Sequence, residues 1–361
     1  MAIDTNSFAA DNRDLSMFPG EYGYPFFGKT IEFVKDTLAV CADHYERFGP
    51  VSRLDMVKNQ RVLMCLGPEF NEAALFDPHG NFSAAGGYMG SLGGLYPDGM
   101  LLRDGKKHKK TRRASQPAFK TDALRTYVDM LNPIQSRRID ELKPDEEFIF
   151  YDNIQQTLMD VAAKVFIGLD ETSAEAKMLH KIFENINKGL ITPVPYDLPF
   201  STFRKALKSR ESLRNFLVTK IPERRGTELE DMFSRYCNAK DEDENYLEDV
   251  DIDGHIAFLL FAAFDTTTSA LTNILYYLGK NPEWQEKVRD EINNVSSDIP
   301  SYDDMAEMKL TEYVFQETLR FYPSVMILNR RTTRDVEVGG YEIPANTCLL
   351  YTSDAADDPA S

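Results

Sequence analysis

An apolar run of helical length with a polar break in its middle constrains this chain more than any other feature. Residues 254–279 read as one helix, about 39 Å long at the helical rise. Residues 256–264 are apolar on every face, which predicts a helix buried all round. Asp265-Thr266-Thr267-Thr268 then interrupts the run. A carboxylate and three hydroxyls inside a core cost free energy unless they are paired. A Thr hydroxyl can bond back to the carbonyl four residues earlier and bend the helix. The small pair Ala262-Ala263 leaves room beside the backbone. Room and polarity together suit a small ligand and a water. On pattern alone, a satisfied kink against a neighbouring helix is an equally good reading.

The rest of the chain gives that helix mostly helical neighbours. Helical spacing runs through 31–48, 106–118, 121–141, 151–166, 173–187, 199–223, 227–238, 282–294 and 310–321. Strand-like runs occupy 51–57, 61–66, 332–338 and 341–343, the last two divided by Gly339-Gly340. Residues 77–105 carry seven glycines between Gly80 and Gly99 and read as a long weakly structured loop, the usual form of a lid or binding loop. The expected fold is mainly α with small β sheets, one domain over 1–350 with an atypical tail over 351–361.

Composition narrows the function classes. The 361 residues have a formal net charge of −17, so nucleic-acid binding is not expected despite the local basic run Lys106-Lys107-His108-Lys109-Lys110-Thr111-Arg112-Arg113. Four separated cysteines (Cys41, Cys65, Cys237 and Cys348) show no disulfide framework and no metal-ligand spacing, so no residue is assigned to a metal. They read as reduced cytosolic thiols. The N-terminus lacks the basic start and apolar run of a signal peptide, and the longest apolar stretch is far short of a membrane span. A soluble cytoplasmic monomer is expected.

Glu317 and Arg320 form a second motif, three residues apart on one helical face. Apolar neighbours Val314, Phe315, Leu319 and Phe321 predict a half-buried pair whose disruption costs about 3–5 kcal/mol. By itself the motif is weak, since surface pairs at this spacing are common.

In their order and separation these blocks resemble the cytochrome P-450 family of haem-thiolate monooxygenases. Ala262-Ala263-Phe264-Asp265-Thr266-Thr267 is similar to the family's A/G-G-x-D/E-T-T motif, with Ala263 where glycine is usual. Glu317-Thr318-Leu319-Arg320 is similar to its E-x-x-R. Phe321-Tyr322-Pro323, Arg330, Asp335 and Gly340-Tyr341-Glu342-Ile343-Pro344 follow in family order. The basic run, with Pro117-Ala118-Phe119 after it, looks like the helix that meets the haem propionates. Segment 183–210 looks nearest the branch acting on sterols and retinoids.

The resemblance implies haem b with its iron, dioxygen as co-substrate, and electrons from NAD(P)H through a ferredoxin or flavoprotein reductase. It implies that Asp265 and Thr266 pass protons to the dioxygen being activated. Ala262 and Ala263 would line the oxygen groove, with the Ala263 methyl narrowing it. His108, Arg112 and Arg330 would hold propionates, unless His108 is simply a solvated residue of its basic run. Glu317 and Arg320 would be structural. A hydrophobic small molecule of sterol, retinoid or fatty-acid type would sit among residues 81–101, 186–200, 258–264 and 325–328.

The family's iron ligand lies in an F-x-x-G-x-R-x-C loop, and that pattern is not found. The expectation is therefore a fold incomplete at its C-terminus, a fragment inactive as given, with non-native sequence from about Cys348. Two rival functions stand beside the monooxygenase. A haem-thiolate isomerase or peroxygenase would not need Asp265-Thr266. A cofactor-free helical binding or scaffold protein would leave the polar break and the ordered blocks without a reason.

Overall fold

Caps and stops set most of the helix boundaries in the computed structural model, which describes residues 14–57, 60–143, 145–192, 195–241, 244–295 and 299–352. In chain order the elements are β1 (Gly20–Glu21), α1 (Thr30–Lys35), α2 (Thr37–Phe48), β2 (Val51–Met56), β3 (Gln60–Cys65), α3 (Pro68–Phe76), β4 (Phe82–Ser83), α4 (Ala84–Leu92), α5 (Gly105–Ser115), α6 (Thr121–Asp140), α7 (Phe150–Ile167), α8 (Ala174–Leu190), α9 (Thr202–Arg224), α10 (Met232–Cys237), α11 (Asp249–Lys280), α12 (Pro282–Asn293), α13 (Lys309–Phe321), β5 (Ile327–Thr332), β6 (Val336–Val338), β7 (Tyr341–Ile343) and β8 (Cys348–Thr352). Asp36, Ser173, Ser201 and Asp231 cap α2, α8, α9 and α10 by accepting backbone N–H bonds of the first turn. The architecture is mainly α with two small sheets.

The helical core joins α7, α8, α9, α10 and the first half of α11 through fully buried Ile167, Ile186, Leu213, Leu217, Phe233, Tyr236, Ile252 and Ile256. One buried ion pair ties α9 to α11. Arg210 donates from both terminal nitrogens to the Asp253 carboxylate, at 2.9 and 2.8 Å, and from Nε to the Leu95 carbonyl at 3.0 Å. Only a tenth or less of either side chain reaches solvent.

The larger sheet has the strand order β1-β2-β3-β8-β5-β4. β8 lies parallel to β3 and antiparallel to β5, so it is bonded on both edges. The stretch expected to be non-native from about Cys348 thus supplies an interior strand, and residues 353–361 of that tail lie outside the described residues. β6 and β7 form a hairpin across Gly339 and Gly340, with φ of +57° and +81°, a turn that favours glycine at both positions.

Two expectations are corrected here. The glycine-rich segment is not a loop throughout. It holds β4, α4 and a 3-10 turn at Met100–Leu102. Ser83 caps α4, and the Asp104 carboxylate accepts from the N–H groups of Ala84 and Ala85. Gly87 lets α4 lie directly on β5, since a Cβ there would stand 2.7 Å from the Arg330 backbone. The second correction concerns α11. Its first half is buried, but Leu275 and Tyr276 are about half exposed, so it is not buried all round. It is long and apolar enough to cross a membrane by composition. It packs against α7, α9 and α13.

The Arg210–Asp253 pair generates a stability prediction. Arg210→Met strands a buried carboxylate and should cost about 3–5 kcal/mol in chemical denaturation. Adding Asp253→Leu should recover most of that loss. A double variant no more stable than Arg210→Met would show that the carboxylate is compensated elsewhere.

Candidate functional site

The polar break of α11 is satisfied within the helix and from two other elements. Thr266 donates its hydroxyl to the Ala262 carbonyl at 2.6 Å, and Thr268 donates to Phe264 at 2.9 Å. These are the back-bonds expected of threonines within a helix. They turn the hydroxyl oxygens into acceptors beside Ala262 and Ala263. From the segment after α13, Ser324 donates its hydroxyl to the Thr266 carbonyl at 2.8 Å. From α8, the Asn187 side-chain amide donates to the Asp265 carboxylate at 3.3 Å.

Asp265 is exposed along part of its side chain, yet enough apolar chain surrounds it to push its carboxyl above the ordinary aspartate value. A partly desolvated carboxyl within an otherwise apolar stretch of helix is a group suited to proton exchange. Beside the first half of α11, Tyr96 stacks on Phe261 at 4.8 Å and meets Phe258 edge-on at 6.1 Å. This aromatic wall keeps the environment apolar one to two turns before Asp265 and Thr266.

His108 and Arg112 lie one turn apart on α5. Burial, together with the Arg112 charge, pushes His108 below its ordinary value, so the imidazole is neutral near pH 7. Arg330 is on β5, where it donates to the Asn329 carbonyl and lies 5.6 Å over the Tyr351 ring. Among the described residues, no hydrogen bond or ion pair joins the α5 pair to Arg330. Neither Arg112 nor Arg330 is paired with a carboxylate among those residues. In an acidic chain, two arginines without carboxylates and a neutral imidazole fit a carboxylate-bearing cofactor such as haem. Three thiols are silenced by burial: Cys41 is pushed up to about 11, Cys237 to about 12, and Cys65 further up. Cys348 on β8 is only partly buried, which leaves it the more accessible thiol.

Glu317 and Arg320 do pair, through two hydrogen bonds of 2.8 and 2.7 Å, but at the surface, with 58 % and 46 % of their side chains exposed. The half-buried expectation is corrected, and with it the cost of breaking the pair, which falls to the 0–1 kcal/mol range typical of exposed pairs. Both residues border an open, mostly apolar cleft of about 1090 Å³ between α11, α12 and α13 that does not include Asp265 or Thr266.

Several site residues escape sequence reasoning. Asn187 and Ser324 carry no local signal, since their partners lie 78 and 58 positions away. Buried Arg103 links three elements, reaching Thr111 at 2.8 Å, the Asp98 carbonyl at 2.9 Å and Asp251 at 2.5 Å. Close to it, burial pushes His255 down to about 3. Tyr88 of α4 accepts the Asn329 N–H at 3.2 Å and lies beside Arg330.

Comparison with known proteins gives this geometry a family. The family model "Cytochrome P450" matches residues 18–360. A putative cytochrome P450 136 of Mycobacterium tuberculosis is 29 % identical over 340 residues, covering 92 % of this chain and 68 % of that protein. A taxoid 14-beta-hydroxylase of Taxus cuspidata is 28 % identical over 352 residues, with the same coverage. The solved structure of retinoic acid bound cyanobacterial CYP120A1 superposes with a TM-score of 0.82 at 26 % identity, over 92 % of this chain and 76 % of that one. The extent of the family match corrects the expectation of a fold cut off before its cysteine-bearing part and of an inactive fragment. The match runs to residue 360 and takes in Cys348. With 343 of 361 positions inside the family model, this chain belongs to the cytochrome P450 family.

Proposed function

We propose that this protein is a haem-dependent monooxygenase that inserts one oxygen atom of O2 into a lipophilic, isoprenoid-like molecule. The observation that carries the reading is a desolvated carboxyl and a back-bonded threonine side by side at the break of α11. The substrate class has two supports: the apolar wall of Tyr96, Phe258 and Phe261, and relatives named for hydroxylating taxoids and abscisic acid or solved with retinoic acid bound.

The bound haem would supply the oxidising chemistry on O2, with electrons from a ferredoxin or flavoprotein reductase. Arg112 and His108 on α5 and Arg330 on β5 would hold its propionates, the arginines by charge and His108 as a neutral donor. Thr266, its own proton committed to the Ala262 carbonyl, would present its oxygen to accept a hydrogen bond from a water. Asp265 delivers protons from the solvent side and is reprotonated there, which its partial exposure permits. The aromatic side chains exclude water from the substrate side. A haem-thiolate isomerase or peroxygenase would have no use for this pair.

The reduced, carbon-monoxide-bound spectrum tests the class. A thiolate-shifted Soret band is expected, and the absence of any haem signal would favour a cofactor-free binding protein. Arg112→Ala and Arg330→Ala should each weaken haem retention by about tenfold, read by haem transfer to apomyoglobin. Asp265→Asn should slow turnover of retinoic acid, used as a probe, by about 100-fold, while haem retention stays at the parent level.

A pH prediction follows from the direction of the Asp265 shift. A carboxyl raised by folding costs stability when ionised, and that cost vanishes once the pH falls below its unfolded value. Asp265→Asn should therefore melt above the parent at pH 7, with the gap closing near pH 4. A gap independent of pH would show that titration of Asp265 is not its source.

A further inference from the structure

Asn187 occupies a place that the monooxygenase reading does not explain. It lies on α8 directly after Ile186, which is fully buried, while Lys188 turns outward to pair with Glu184. Its amide nitrogen donates to Asp265, and its amide oxygen is buried with no hydrogen-bond partner among the described residues. An unpaired buried acceptor costs free energy. Such an acceptor beside a carboxyl group gains a partner when that carboxyl is protonated.

We infer that Asn187 is a positioning residue for the relay carboxyl: its side-chain amide holds Asp265 in both protonation states, donating N–H to the carboxylate and accepting O–H from the carboxylic acid. This rests on the proposed role of Asp265 in proton delivery. In one cycle the Asp265 carboxylic acid gives up its proton toward the reaction site and becomes a carboxylate held by the amide N–H. The carboxylate then takes a proton from hydronium, releasing water, and its new O–H turns to the amide oxygen. An arginine or lysine here would hold only the ionised form, and a carboxylate only the neutral one. An amide serves both.

The surroundings leave this task to Asn187. Among the described residues, the other titratable groups that feel Asp265 are Tyr151 on α7 and Tyr96, both raised mainly by burial and so neutral at working pH. No basic side chain among the described residues is a cause of the upward shift of Asp265, which desolvation drives. α8 is also fixed closely to α9. Gly189 lies so near Ala206 that a Cβ there would stand 2.2 Å from the alanine methyl, so the two helices carry Asn187 as one unit.

The experiment uses the haem-loaded protein and two variants, Asn187→Leu and Asn187→Asp, with Asp265→Asn as the spectroscopic blank. Difference infrared spectroscopy across pH reads the carboxyl of Asp265 directly, without turnover. Asn187→Leu should raise its titration midpoint by about one pH unit, because the donor to the carboxylate is gone. Asn187→Asp should raise it further, because two carboxylates then share one proton. With a surrogate reductase and retinoic acid as probe, the share of NADPH electrons lost as hydrogen peroxide should rise about threefold in Asn187→Leu. A merely structural role for Asn187 would change melting and leave the infrared midpoint in place.

Both variants taking up haem and titrating at the parental midpoint would overturn the inference. If Asn187→Leu fails to bind haem, the near-isosteric Asn187→Asp decides alone by its midpoint. Should the parent show no thiolate-shifted band, or Asp265→Asn leave the peroxide share unchanged, the monooxygenase reading itself falls. If both hold and the Asn187 variants are silent, the inference about Asn187 alone is lost.

Discussion

The back-bond from Thr266 to the Ala262 carbonyl is the interaction around which the rest of the structure is arranged. It puts a hydroxyl into an apolar helix at no cost of an unmade hydrogen bond and leaves the oxygen's lone pairs for another partner. A hydroxyl buried without that bond would cost several times what the bond contributes. The helix runs without interruption through this segment and is also bonded there from outside. Ser324 bonds to it at the Thr266 carbonyl, and α8 supplies Asn187 at Asp265. The break is therefore held from the α13 side and from the α8 side.

Charge is distributed to the same end. The chain has 58 acidic and 41 basic residues, so an arginine has many carboxylates within reach of its sequence neighbourhood. Arg47, Arg137, Arg138, Arg210 and Arg224 all take carboxylate partners. Arg112 and Arg330 do not, among the described residues, although Arg330 sits where α4 is pressed onto β5 by Gly87. Leaving cations unpaired in an acidic protein is wasteful unless an anion arrives with a ligand, and a dicarboxylate cofactor is such a ligand.

The readable and unreadable parts of the sequence divide by distance along the chain. The i to i−4 bonds of Thr266 and Thr268 are local, and so is the Glu317–Arg320 pair, so each follows from spacing alone. What spacing does not give is which face meets solvent. That is why Glu317 and Arg320 read as half-buried beside Phe315 and Phe321, all four of which are exposed. The glycine-rich segment reads as a loop because glycine is a poor helix former. Its helix α4 depends on Asp104, some twenty residues on, which caps Ala84 and Ala85, and on close approach to β5. Arg103 and Asp251, 148 positions apart, are beyond any local pattern. The family blocks bridged part of that gap because their order encodes the long-range assembly that single motifs leave open.

A proton relay and an apolar substrate wall, the two roles proposed for α11, would make opposite demands on one helix. The wall excludes water, and exclusion of water raises a carboxyl until it no longer ionises at working pH. Contact with water keeps the carboxyl exchanging but admits solvent to the reaction. Under the proposed function, the geometry of α11 would meet both demands. Phe258 and Phe261 face Tyr96 in the packed half, whereas Asp265, one to two turns later, reaches solvent along part of its side chain and is desolvated along the rest. A carboxyl in that position is raised but still exchanges, so its protonation responds to small changes in what touches it. Asn187 and the two tyrosines are neutral, and neutral neighbours leave the carboxyl free to titrate where an arginine would pin it as an anion.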